Sequence, residues 1–284
     1  MTHSSKSKSK SLREHALEAL LIKDPLIKSQ AVQEMHAQIS MPVGADVDLQ
    51  CTEQGIPGRP AKPDIVDPRQ VKQRSMHTTE GRAALLHALA HIEFNAINLA
   101  LDIIWRYPDL PSQFYGDWLQ VAFEEVYHFN LLDAHLQSLG FAYGDFPAHD
   151  GLWDMAERTC DDLIARLAMV PRTLEARGLD ACPVMRDKLA QAGDQGAADI
   201  LDIILRDEVG HVAAGNRWYR WACAQKAVDP EQQYPQLAKI YRAPRFRGPL
   251  NIDARRDAGF TETEIQYFIK QHAADHRSSE PHKN

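Results

Sequence analysis

Six residues have the types and spacing to hold metal together: Glu93, Glu125, His128, Glu175, Glu208 and His211. Glu125 and His128 make one Glu-x-x-His pair, and Glu208 and His211 make a second. The surrounding strings match in type, Glu124-Glu125-Val126-Tyr127-His128 against Asp207-Glu208-Val209-Gly210-His211. Residues three apart on a helix leave from one face, so each pair can reach one ion or two adjacent ions. A chain of this composition supplies roughly 0.7 such matches by chance, so an isolated pair reads as a solvated face or a Glu–His hydrogen bond, and context must decide.

The context is apolar. Glu93 shares its helical face with Leu86, Leu89, Ala90, Ala96, Ile97, Ala100, Leu101 and Ile104. Glu125 lies among Trp118, Val121, Ala122, Phe129 and Leu132, and Glu208 among Leu201, Ile204, Leu205 and Val212. A carboxylate aimed into such a face has to be neutralised, paired or bound to metal. Glu175 is the weakest member, because Pro171 and Arg172 share a face that also carries Ile164, Leu167, Ala168 and Leu179. Pro171 removes a helical hydrogen bond one turn before it and predicts a kink there. Four carboxylates and two neutral imidazoles would be balanced by two divalent ions in a low-dielectric core. Oxygen-rich ligation with two nitrogens suits iron, with manganese as the alternative, better than zinc.

Four long segments with helical periodicity carry these residues, at roughly 80–106, 112–139, 156–178 and 195–225. Pro108 and Pro111 place a turn midway between Glu93 and Glu125, so an antiparallel hairpin brings both to one height. Glu175 and Glu208 are similarly spaced, but their turn is less central and needs the segment around Cys182 to Gln191 to be looped out; a short helix is expected near 184–192. The Gly-, Pro- and Asp-rich stretch 141–155, if extended, reaches about 45–50 Å and can span a helix of about 37 Å. The expectation is therefore an all-α, ferritin-like four-helix bundle with one long crossover between its second and third helices. Residues 1–10 read as a disordered tail and 11–78 as N-terminal helices, broken at Pro25, with a Pro-rich extended arm. The bundle takes 79–228, and helices with a polar tail take 229–284.

Other polar residues have bland readings. His87 and His91 lie off the Glu93 face and read as surface or outer-shell groups. Glu124 and Asp207 either orient the histidines or are solvated, and Tyr127 and Tyr219 read as packing. Lys239, Arg242, Arg245, Arg247, Arg255 and Arg256 could meet an anionic substrate, but a solvated tail is the favoured reading. Cys51, Cys160, Cys182 and Cys223 form no Cys-x-x-Cys pair and read as buried free thiols. With 284 residues, 44% of them hydrophobic and 25% charged, the chain can bury a sizeable core. A net charge of -7 argues against nucleic acid or an anionic membrane as partner. No signal peptide or membrane-length apolar run is written, so cytoplasmic residence is expected.

The strings Pro57-Gly58-Arg59-Pro60, His87-Ala88-Leu89-Ala90-His91-Ile92-Glu93, Glu124-Glu125-Val126-Tyr127-His128, Glu175-Ala176-Arg177-Gly178-Leu179-Asp180 and Asp207-Glu208-Val209-Gly210-His211 carry a resemblance over most of the chain. In them the chain resembles a bacterial ferritin-like family catalogued as domain of unknown function 455. That resemblance implies the ferritin-like fold and the six ligands on these positions, and no reaction. Glu175-Ala176-Arg177 is also distantly similar to the third-helix string of the di-iron hydroxylases that modify tRNA; net acidity counts against tRNA as substrate here.

The leading expectation is an oxygen-activating oxidoreductase, a hydroxylase or oxidase, acting on a small-molecule substrate at a di-iron centre. With no Gly-x-Gly-x-x-Gly fingerprint in the chain, it would draw electrons from a separate reductase. Iron or peroxide handling in the manner of ferritins and rubrerythrins, with or without a cage-like oligomer, is the alternative. A scaffold with structural metal is the third reading.

Overall fold

Helix starts follow from capping residues. The computed structural model describes residues 10–38, 41–46, 49, 55–72, 74–245 and 248–279. Apart from Lys10, the expected N-terminal tail lies outside the described residues, as do Cys51, Arg247 and residues 280–284. Helix α1 (Leu12–Leu21) opens on a capping box in which Ser11 and Glu14 satisfy each other's backbone amides. Helix α2 (Pro25–Ala37) starts with proline at its first position and Asp24 accepting from Leu26 and Ile27 amides, which confirms the break expected at Pro25. From 41 to 78 the only helical element among the described residues is the short 3-10 turn Pro68–Gln70, as the prolines dictate.

The first two predicted bundle helices come out nearly to the residue, as α3 (Thr79–Arg106) and α4 (Ser112–Ser138). Gly140, at φ 84°, closes α4 in the left-handed conformation, with the Phe141 amide returning to the Leu136 carbonyl at 3.2 Å. The third predicted helix, by contrast, is not continuous. It is replaced by α5 (Gly151–Arg158), α6 (Leu163–Met169), a π-helical segment (Val170–Glu175) and α7 (Ala176–Gln191). Asp162 caps α6, which is why the chain breaks before it. Pro171 has no amide to donate, so the ladder slips instead of merely bending. In the slipped register the Thr173 hydroxyl donates to the Ala168 carbonyl, five residues back, at 2.8 Å. The short helix expected near 184–192 is the second half of α7. After it come α8 (Gln195–Gln225), α9 (Pro230–Ile240), α10 (Ile252–Asp257) and α11 (Glu262–Ser279). With no strand among the described residues, the chain is all-α.

Contacts divide the chain into two compact units, Met1–Lys62 with Glu93–Tyr127, and Pro63–Ile92 with His128–Asn284. In the first, α1 and α2 pack together and are tied to the second half of α3 by buried cations. Arg13 donates to the Trp105 carbonyl at 2.6 Å and to Gly44 at 3.0 Å. Lys28, wholly buried, donates to the carbonyls of Leu20 at 3.1 Å and Gly58 at 3.3 Å and to the Asn98 side chain. Tyr115 holds the turn between α3 and α4, its hydroxyl donating to the Tyr107 carbonyl at 2.8 Å.

In the second unit α7 packs along α8, and Pro171 sits against Gly215 so closely that a Cβ there would lie 2.5 Å from the proline Cβ. Asp194 caps α8 and also takes His135 at 2.8 Å and Arg82 at 3.3 Å, joining the starts of α8 and α3 to the end of α4. The segment after α4 is non-helical up to Asp150 and makes one parallel bridge, Ile65 with Ala148. It rests on His87 and His91, both buried rather than on the surface. His87 Nε2 accepts from the Gly144 amide at 2.9 Å, and His91 Nδ1 pairs with the Tyr143 hydroxyl at 2.8 Å. Burial pulls His87 down to about 4, so it serves this segment as a neutral acceptor.

Helix α3 is the one described helix long and apolar enough to cross a membrane; 78% of its most apolar window is buried within the fold, as in a core helix.

Candidate metal centre

Glu93 stands mid-way along α3 and is buried, and so are Glu125 and His128 on α4. Glu208 and His211 are buried one turn apart on α8. Each of these carboxylates is where its helix face predicted, aimed into apolar surroundings. Within the first unit Glu93 and Glu125 meet, as the turn midway between them requires. Within the second, His128 of α4 meets Glu208 of α8. Because Glu125 and His128 are one turn apart on α4, the two pairs share that helix. The ligand atoms of Glu93, Glu125, His128 and Glu208 all lie within 4.8 Å of one another.

That four-residue group does not include His211 or Glu175. His211 adjoins it: its Nδ1 is 3.6 Å from a Glu208 carboxylate oxygen, and its ring centroid is 5.7 Å from that of His128. Glu175 ends the π-helical segment and is half-buried.

Asp207 has a defined role that its sequence left open. Its Oδ2 lies 3.1 Å from Nε2 of His128, so the carboxylate on α8 orients the imidazole on α4. Burial pushes Asp207 upward, but hydrogen bonds from Arg206 and His128 outweigh it and hold the carboxyl below its ordinary value. An ionised Asp207 takes the Nε2 proton and turns the Nδ1 lone pair to the opposite side of the ring. A carboxylate–imidazole pair of this kind fixes the tautomer of a metal-binding histidine.

Like charges this close are costly. At an effective dielectric constant of 20, two carboxylates 4.8 Å apart repel by about 3.5 kcal/mol, so three of them approach the whole stability of a domain. The group must take up protons or cations. Three buried carboxylates and an oriented imidazole suit a divalent ion, and the second Glu-x-x-His residue beside them suits a second.

Sequence reasoning missed Asp194, which fixes three helix ends together, although its position just before the helical run at Gln195 is a cap signal. Nor did it foresee the Pro171–Gly215 contact, although a glycine inside α8, four residues after His211, marks a close approach.

A family model described as Protein of unknown function (DUF455) matches residues 21–266. The chain belongs to this family. It is 45% identical over 263 residues, 89% of this chain and 91% of its relative, to a protein of Haemophilus influenzae named "Uncharacterized protein". No solved structure matches. The DUF455 match spans both units and every residue of the four-residue group, and it brings no reaction with it.

Proposed function

We propose that this DUF455 protein is a ferritin-like carboxylate protein that holds two iron ions on Glu93, Glu125, His128, Glu175, Glu208 and His211, and that it oxidises an organic substrate with O2. The observation that carries this reading is the buried convergence of Glu93, Glu125, His128 and Glu208 within 4.8 Å. Adding Glu175 and His211 gives four carboxylates and two imidazoles, whose charge two divalent ions cancel. The donor set is oxygen-rich, which favours Fe(II), or Mn(II), over zinc.

Bound ferrous ions would supply the reducing chemistry that O2 needs. The chain's own residues do the rest. Asp207 holds the proton on Nε2 of His128, and the apolar faces of α3, α4 and α8 keep bulk water from the carboxylates. Hydroxylation takes one O2, two electrons and two protons to give the alcohol and water, so two electrons come from outside. A separate reductase in the same compartment, expected to be the cytoplasm, fills that role.

The test is metal analysis and absorption spectroscopy of protein from iron-replete cells, followed by anaerobic reduction and exposure to O2, with Glu125→Ala alongside. Two irons per chain, lost in the variant and reoxidised by O2, are expected. Absence of any transition metal, even after anaerobic loading with Fe(II) or Mn(II), would overturn the proposal. Stored ferric iron far beyond two ions per chain would replace it with iron handling.

A further inference from the structure

A second site lies wholly within the second unit. A cavity of about 320 Å³ opens where the π-helical segment and the start of α7 meet α9, α10 and α11. Its charged lining is Arg172, Arg177, Lys239, Arg245 and Arg255, with Asp275 the one carboxylate among the lining residues. In a chain of net charge -7 this is a local inversion of sign. Glu264 and Asp180, just behind the wall, answer Arg172 and Arg255, and Asp275 stands 3.7 Å from Arg245; positive charge is still in excess.

Arg172 points to what the cavity takes. It is 1% exposed, and the rings of Tyr219, Tyr234 and Phe260 hold its guanidinium, with Tyr219 nearest at 4.2 Å. One terminal nitrogen donates to Glu264 at 2.5 Å. The N–H groups on Nε and Nη1 are buried and have no hydrogen-bond partner among the described residues. Buried donors of an ionised group are costly to leave unmade, and the rings fix the group so that it cannot turn away. Arg255 is different, since Asp180 takes it in a two-bond fork at 3.0 and 2.6 Å. Lys239 and Arg245 are exposed and stand at the mouth.

We infer that this cavity binds a small phosphorylated molecule, with the phosphate on Arg172 and between Lys239 and Arg245. A phosphate dianion offers several acceptor oxygens to a mixed set of arginine and lysine donors, and a carboxylate offers two. The volume is at the lower end for small-molecule clefts and admits a mononucleotide-sized ligand at most. Tyr267 in the lining gives the organic part an apolar wall. The basic C-terminal stretch is therefore in part a binding surface and not merely a solvated tail.

The test is calorimetric titration of the full chain, as purified, with inorganic phosphate and with AMP as probes. Saturable binding of either, with a dissociation constant below about 1 mM, is expected. The double variant Lys239→Ala/Arg245→Ala changes exposed residues only; it should weaken binding by about tenfold or more with unchanged melting temperature. Binding should persist in Glu125→Ala, which separates this site from the metal centre. Failure of both probes to bind, undiminished binding in the double variant, or loss of binding in Glu125→Ala would each overturn the inference, whatever the metal analysis shows.

Discussion

His128 Nε2 and Asp207 Oδ2, on α4 and α8, are 3.1 Å apart, and this pair fixes which imidazole nitrogen carries the proton. Removing the carboxylate leaves the ring buried but free to change tautomer. Asp207→Ala is expected to weaken metal binding by about 10–100-fold, with Asp207→Asn between it and the native chain. Competition against a chelator of known affinity measures this, and equal affinities in all three proteins would show that the pair has no part in binding.

Glu125 gives a prediction whose sign depends on metal. In metal-free protein Glu125 lies within 4.8 Å of Glu93 and Glu208, a crowding that only protons can then relieve, so Glu125→Gln removes one of the three carboxylates and should be neutral or stabilising by about 1–3 kcal/mol. With Fe(II) or Mn(II) under anaerobic conditions the order reverses, because only the native chain gains binding free energy. Melting temperatures of both proteins with and without metal decide it. A native chain indifferent to metal, with a variant destabilised throughout, would identify a hydrogen-bonded network instead.

Gly215 and Gly210 lie on the same helix and should respond oppositely to alanine. At Gly215 the added Cβ would be 2.5 Å from Cβ and 2.9 Å from Cγ of Pro171, on the π-helical segment. Gly215→Ala is expected to cost about 1–3 kcal/mol. At Gly210 nothing lies within 4 Å, so Gly210→Ala should stabilise by up to about 1 kcal/mol through helix propensity. Urea unfolding of the two variants checks both signs.

Lys28 carries a pH dependence. Burial, aided by repulsion from Arg59, pulls it from 10.5 to about 7. Its folded value is below its unfolded one, so between those values the unfolded chain binds the extra proton. Stability therefore rises as pH increases from about 7 toward 10.5, and below 7 the penalty is constant, of order a few kcal/mol. Lys28→Met abolishes this slope, although it loses the bonds to the Leu20 and Gly58 carbonyls. Denaturant midpoints at pH 6, 7, 8 and 9 compare the two proteins; parallel curves would show that Lys28 titrates alike in both states.

Sequence alone determined the helices whose signals are local. Prolines and caps fixed α2, α3 and α4, apolar faces around Glu93, Glu125 and Glu208 placed these carboxylates in the interior, and the turn at Pro108–Pro111 brought the first two together. These features follow from periodicity and from backbone rules that act within one or two turns. Tertiary structure decided the rest. Pro171 announced a disturbance, but a kink and a π-helical register differ only in how the displaced carbonyls are satisfied, and the Thr173 hydroxyl and the close approach of Gly215 settle that. Asp207 could equally have faced water until α8 met α4 and put His128 within its reach. Arg172 looked like a blemish on the Glu175 face, and only the packing of α9, α10 and α11 around it made a cavity. Hydrogen bonds between distant residues form in a geometry that the whole fold supplies, and no local pattern of residue types specifies it.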